Sequence, residues 1–315
     1  MKEQSLQKAS RIMAAFVVAG IITFGPGTEG FKNITTASAP EKYVEYVEKQ
    51  PGADEFKTEM LRAKLGFLVE KFSPHIIDYL MMGDKAANKN NKGMPNQPII
   101  TGFDKIGIDN KAISELWSKK YYPAGAIEGN IASVEYLGNR AGNVADYNIG
   151  GEAAASARDF SDIIQFHDDG LRVGSKKELK DKIENLDWHF THELGHNTDW
   201  VNQNTLTPVE RAEFLHDIAK AFEKPGSFRD SMGYIDSINN PDKHKENYYK
   251  VREYWASLCE QYLSFPELSR DYLSKDEVGL IKKWLEREDK EFNPIKAEKE
   301  KKLLIEALVE KGLRK

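Results

Sequence analysis

The sequence predicts an α+β fold, with a small twisted sheet in its first half and a helical C-terminal half. Three observations predict it. Short runs rich in branched and aromatic residues, at Ile99–Phe103, Ile131–Leu137 and Asp162–His167, fall among glycine- and asparagine-rich turns. From Ser175 onward, apolar residues recur at helical spacing with few interruptions. The chain has 315 residues, 40% hydrophobic and 30% charged, enough for one sizeable core and typical of a globular protein.

The N-terminus reads separately from that fold. Lys2, Lys8 and Arg11 precede an apolar run from Ile12 to Phe24, and small residues follow at Ala37-Ser38-Ala39. The run is too short to span a bilayer and matches the apolar region of an export signal. Cleavage is expected after Ala37, making residues 1–37 a signal peptide. The expectation is a secreted, extracellular protein of bacterial type, with no stable membrane span once the signal is removed.

Residues 40–98 predict an N-terminal helical segment. Tyr43, Val44 and Val47 recur at helical spacing, as do Phe56, Met60, Leu61, Leu65, Leu68 and Phe72. Pro51-Gly52 separates the two helices, and the polar stretch 88–98 reads as a linker. Residues 99–292 form the main domain. It holds a strand at Ile99, a helix from about Lys111 to Lys120, and strands at Ile131–Leu137 and Val144–Ile149. Asp162–His167 reads as the sheet's edge strand, free to pair with an extended peptide. Ser175 with Glu178, Thr207 with Glu210 and Ser274 with Glu277 are capping boxes that open helices, and Pro241 opens another. Residues 293–315 read as a charged helix docked through Ile295, Leu303, Leu304, Ala307 and Leu308.

Charge and cysteine content exclude some functions. The net charge of −5 comes from 45 basic and 50 acidic residues with no basic cluster, so nucleic acid is not an expected partner. The single cysteine, Cys259, excludes an intramolecular disulfide and a cysteine-rich metal site. Its apolar helical surroundings predict a buried thiol.

The chemistry concentrates at His192-Glu193-Leu194-Gly195-His196. Residues four apart lie on one face of a helix, so His192 and His196 can offer two imidazole nitrogens to one Zn2+ ion. Glu193 then stands within reach of a metal-activated water, as a general base. A catalytic zinc needs a third protein ligand and an open position. The extended motif with a third histidine fails, because Asp199 and Asn202 occupy its glycine and histidine positions. Asp199 reads better as a group orienting an imidazole.

A later glutamate remains. Glu210 belongs to a capping box, and Glu213 sits on a connecting helix. Farther on, Glu253, Ala256, Ser257 and Glu260 share one stripe of a helix whose other face, Val251, Tyr254, Trp255, Leu258, Tyr262 and Leu263, is apolar. Glu253 is the expected third ligand and Glu260 the next choice. His189 reads as packed or solvated rather than as a ligand, and His167 as a surface residue at a strand end.

The segment Glu253-Tyr254-Trp255-Ala256, lying well after the HExxH motif, resembles the glutamate helix of the anthrax lethal-factor-like zinc peptidases, a secreted gluzincin family. The similarity runs from about Ser161 to Trp284 and includes Tyr262-Leu263-Ser264-Phe265-Pro266-Glu267. It implies a zincin-type fold, with His192, His196 and Glu253 on zinc and Glu193 as the general base. It also implies an oxyanion-stabilising tyrosine, matched here by Tyr234 in Ser231-Met232-Gly233-Tyr234 or by Tyr249. One turn after Glu253, where that pattern has an acidic residue, stands Ser257. The expected function is a secreted zinc endopeptidase acting on a protein or peptide substrate. The alternative is a catalytically inactive zincin-fold binding module.

Overall fold

The computed structural model describes residues 39–50, 55–74, 76–77, 80–81, 95–128, 131–137, 155–157, 163–166, 176–223, 244–287, 289 and 291–312. The signal-peptide segment, most of the 88–98 linker, the 144–149 strand and Tyr234 lie outside them. No helix among the described residues is long and apolar enough to cross a membrane.

The fold is mostly helical around one small mixed sheet, in agreement with the α+β expectation. Helices α1 (Ala39–Glu48) and α2 (Glu55–Phe72) lead to β1 (Ile99–Thr101), α3 (Asn110–Leu116) and the short α4 (Ala124–Ile127). Strands β2 (Ser133–Tyr136), β3 (Ala155–Ala157) and β4 (Ile163–Phe166) follow. Then come α5 (Lys176–Thr205), α6 (Pro208–Glu223), α7 (His244–Ser264), α8 (Pro266–Tyr272), α9 (Lys275–Ile281) and α10 (Pro294–Gly312).

The sheet order is β1-β2-β4-β3. The first three are parallel, and β3 runs antiparallel to β4, with Ser156 opposite Gln165. This corrects the reading of 162–167 as the edge strand, because β4 is paired on both sides. The edge next to α5 is β3, whose Ala-Ser-Ala sequence lacks the branched residues that mark a strand. At the end of β1, Gly102 has φ 85°, and a Cβ there would sit 2.3 Å from the carbonyl oxygen of Tyr136. Only glycine lets the chain turn off the sheet so close to β2.

One face of the sheet is apolar: Val134, Tyr136, Ile164 and Phe166 alternate onto it. Gln165, on the other face of β4, is buried as well. Phe166 stacks on Trp117 at 5.2 Å between centroids, and Trp117 stacks on Phe190 of α5 at 4.4 Å. This aromatic column fixes α5 against the sheet two residues before His192.

The N-terminal helices pack on the C-terminal half. Tyr43 donates from its hydroxyl to the carbonyl of Pro208 at 2.7 Å, and Asn247 donates to the carbonyl of Lys71 at 3.1 Å. Arg211, fully buried, donates to the carbonyl of Leu80. Two expected capping boxes close as predicted. Thr207 and Glu210 exchange backbone-to-side-chain hydrogen bonds at the start of α6, and Ser274 and Glu277 do so at α9.

Helix α10 is docked, on a face offset from the expected one, which keeps Leu304 and Leu308 at its margin. Ala297, Lys301, Ile305 and Val309 are buried, whereas Leu303 is 65% exposed and Ala307 also faces outward. The physical reason is a buried ion pair. Lys301 Nζ lies 2.7 Å from Asp187 of α5 and 3.2 Å from the Tyr122 hydroxyl. Tyr122 and Trp117 also donate to that carboxylate. Leu304 and Leu308 flank the docked face.

Candidate metal centre

Two helices build the centre. On α5, Leu179, Ile183, Leu186, Phe190 and Leu194 form the buried stripe. On α7, Val251, Tyr254, Trp255, Leu258, Tyr262 and Leu263 are buried as the sequence predicts, and Cys259 is buried with them. Among the described elements, the most extensive contact joins these two helices.

They meet backbone to backbone at Gly195. A Cβ there would lie 2.6 Å from Cα and 3.1 Å from the carbonyl oxygen of Ala256. Glycine on α5 opposite alanine on α7 therefore lets the backbones meet. Further bonds clamp the same junction. Arg252 pairs with Asp199 at 2.6 Å, and Trp255 Nε1 donates to Thr198 Oγ1 at 3.3 Å. Asp199 thus holds Arg252, the neighbour of Glu253 on α7.

The contact between helices brings three donors together. His192 Nε2 stands 3.4 Å from Glu253 Oε2, and His196 Nε2 stands 3.2 Å from Glu253 Oε1. One ligand atom from each of these residues can be chosen so that all lie within 4.8 Å of one another. Tetrahedral zinc with bonds of about 2.0–2.1 Å places its ligand atoms roughly 3.3 Å apart. Each imidazole nitrogen lies at about that spacing from one Glu253 oxygen, and the two-imidazole, one-carboxylate donor set fits a catalytic zinc. The three side chains remain 22%, 15% and 20% exposed, so the centre opens to one side.

The electrostatics of the metal-free centre point the same way. Burial works to lower the His192 imidazole, but hydrogen bonds and charge from Glu253 and Glu260 outweigh it and hold it well above its ordinary value. Burial works to raise the Glu253 carboxyl, but His196 and His192 outweigh it and hold it well below the usual carboxylate range. A proton between imidazole and carboxylate thus supplies positive charge where a cation would sit.

Glu193 follows His192 on α5 and is buried. Glu260, the alternative third ligand, lies on the far side of His192. Its Oε2 is 2.9 Å from His192 Nδ1, and its other oxygen accepts from Trp188 Nε1. Burial and the nearby His192 charge push His189 down to about 3, so it is neutral, packed beside Trp188 as expected. Glu213 pairs with Lys64 and Lys283, away from the centre. His167 lies outside the described residues, as does the Ser231–Tyr234 loop. Tyr249 is one turn before Glu253 on α7, but its side chain is also outside them.

The roles of Glu260, Trp188 and Arg252 were not assigned from the sequence. The shared stripe of Glu253 and Glu260 was the available signal for the first. No protein-family model, curated protein or solved structure matches this chain.

Proposed function

We propose that the protein is a secreted zinc-dependent endopeptidase of the gluzincin type, with a zincin-type fold. The observation that carries the reading is the convergence of His192 Nε2, His196 Nε2 and the Glu253 carboxylate at metal-ligand spacing, beside the buried Glu193. Zinc held by these three residues would polarise a substrate carbonyl and lower the pKa of a water. Glu193 would take a proton from the attacking water and return it to the leaving amine. Among the described residues β3 is the outer strand of the sheet beside α5, the place where an extended peptide would pair, which supports an endopeptidase over an enzyme acting on small molecules. The basic, apolar and small-residue order of the N-terminus supports export.

Comparing Glu193→Ala with the parent tests the reading, with bound zinc and cleavage of a peptide library measured on the same samples. Zinc is expected to be retained and cleavage to fall on the order of 10²–10⁴-fold. Equal cleavage by the variant would remove Glu193 from the mechanism. A parent that binds zinc but cleaves no peptide would favour the binding-module alternative.

A further inference from the structure

The metal face of His192 is only half of its surroundings. Its other ring nitrogen, Nδ1, is 2.9 Å from Glu260 Oε2, and Glu260 is 13% exposed at the side chain. The second oxygen of Glu260 accepts from the indole Nε1 of Trp188, one helical turn before His192 on α5. Both partners of this carboxylate therefore come from one helix, while the carboxylate itself comes from α7, two turns beyond Glu253. The position one turn beyond Glu253 is Ser257, which cannot supply a carboxylate.

We propose that Glu260, held in place by Trp188, is the positioning residue that sets the tautomer and ring orientation of His192 for metal binding. The inference rests on the metal-centre half of the proposed function and not on peptide cleavage. A carboxylate only accepts hydrogen bonds when ionised, so the imidazole facing it donates from Nδ1. The lone pair of the neutral ring then lies on Nε2, the nitrogen that faces Glu253 and His196. The Trp188 bond removes the remaining freedom of the carboxylate, because it ties the second oxygen to the helix that carries His192. The negative charge also strengthens His192 as a ligand. Glu253 and Glu260 thus divide the two nitrogens of one imidazole between them.

Zinc affinity by chelator competition, the visible spectrum of the cobalt-substituted protein and the melting temperature of the metal-free protein test this on the full chain. Glu260→Ala is expected to weaken zinc about 10–100-fold and to alter the cobalt bands. Glu260→Gln, whose amide oxygen can still accept from Nδ1–H, recovers part of that loss. Trp188→Phe, which removes a single N–H, weakens zinc by a smaller factor and supplies the result if Glu260→Ala does not fold. Parent-like zinc affinity and cobalt bands in Glu260→Ala, or in Trp188→Phe should the first not fold, would overturn the proposal even if the melting temperature fell. A parent that binds zinc without cleaving peptides removes the peptidase reading and leaves the role of Glu260 standing. A parent that binds no zinc removes both.

Discussion

Gly195 and Ala256 meet backbone to backbone: a Cβ on Gly195 would come within 2.6 Å of Ala256 Cα. The contact lies beside His196 on one helix and three residues after Glu253 on the other, so the closeness of the helices sets the reach of the Glu253 carboxylate. Gly195→Ala should improve the helix propensity of α5 by about 1 kcal/mol yet destabilise the protein by about 1–3 kcal/mol through overpacking. Zinc affinity should fall with it. Adding Ala256→Gly should restore little, because the nearest obstructing atom is the α-carbon and not the methyl group. Urea unfolding of the single and double variants measures this, and a Gly195→Ala protein as stable as the parent would contradict it.

Zinc uptake should release protons. Glu253 and Glu260 hold the His192 imidazole well above its ordinary value, and a metal on its Nε2 must displace the proton there. Affinity should then rise about tenfold per pH unit until the pH passes the raised value. The sign for stability is the opposite. The pairing of His192 with Glu253 stabilises the metal-free fold fully between the ordinary values of 4.5 and 6.5. It is lost as pH rises through the raised histidine value, or falls through the lowered glutamate one. Calorimetric titration in buffers of different protonation enthalpy counts the protons, and none released at pH 7 would contradict this account.

Lys301 should matter to a helix that resembles a solvated appendage. Its side chain is 4% exposed and its Asp187 partner 10%. Lys301→Met should cost about 3 kcal/mol, the lower end of the range for breaking a buried pair, since Tyr122 and Trp117 still donate to Asp187. Urea unfolding checks the value, and a loss below measurement error would show that α10 does not brace α5.

Much of the centre was legible in the sequence because its parts are local. The i, i+4 spacing of His192 and His196 is fixed by the helix, and the stripe of Glu253, Ala256, Ser257 and Glu260 by another. The division of labour within that stripe was not legible, because it depends on where α7 crosses α5. Which glutamate meets Nε2 and which meets Nδ1 is settled by the Gly195–Ala256 contact, a tertiary fact. The same holds for Arg252 and Asp199, 53 positions apart. Strand β3 is not legible in the sequence because Ala155-Ser156-Ala157 carries no strand signal, so β4 reads as the edge in its place. The docked face of α10 is offset from the apolar stripe visible in its sequence, because buried Lys301 pairs with Asp187.

The central claim is that His192, His196 and Glu253 hold one metal ion. Zinc content per chain, measured after equilibration with a buffered zinc concentration, tests it most directly across the parent, His196→Ala, Glu253→Ala and Glu193→Ala. One zinc per chain is predicted for the parent and for Glu193→Ala, with zinc lost from the other two. Undiminished zinc in a folded Glu253→Ala protein would contradict the claim.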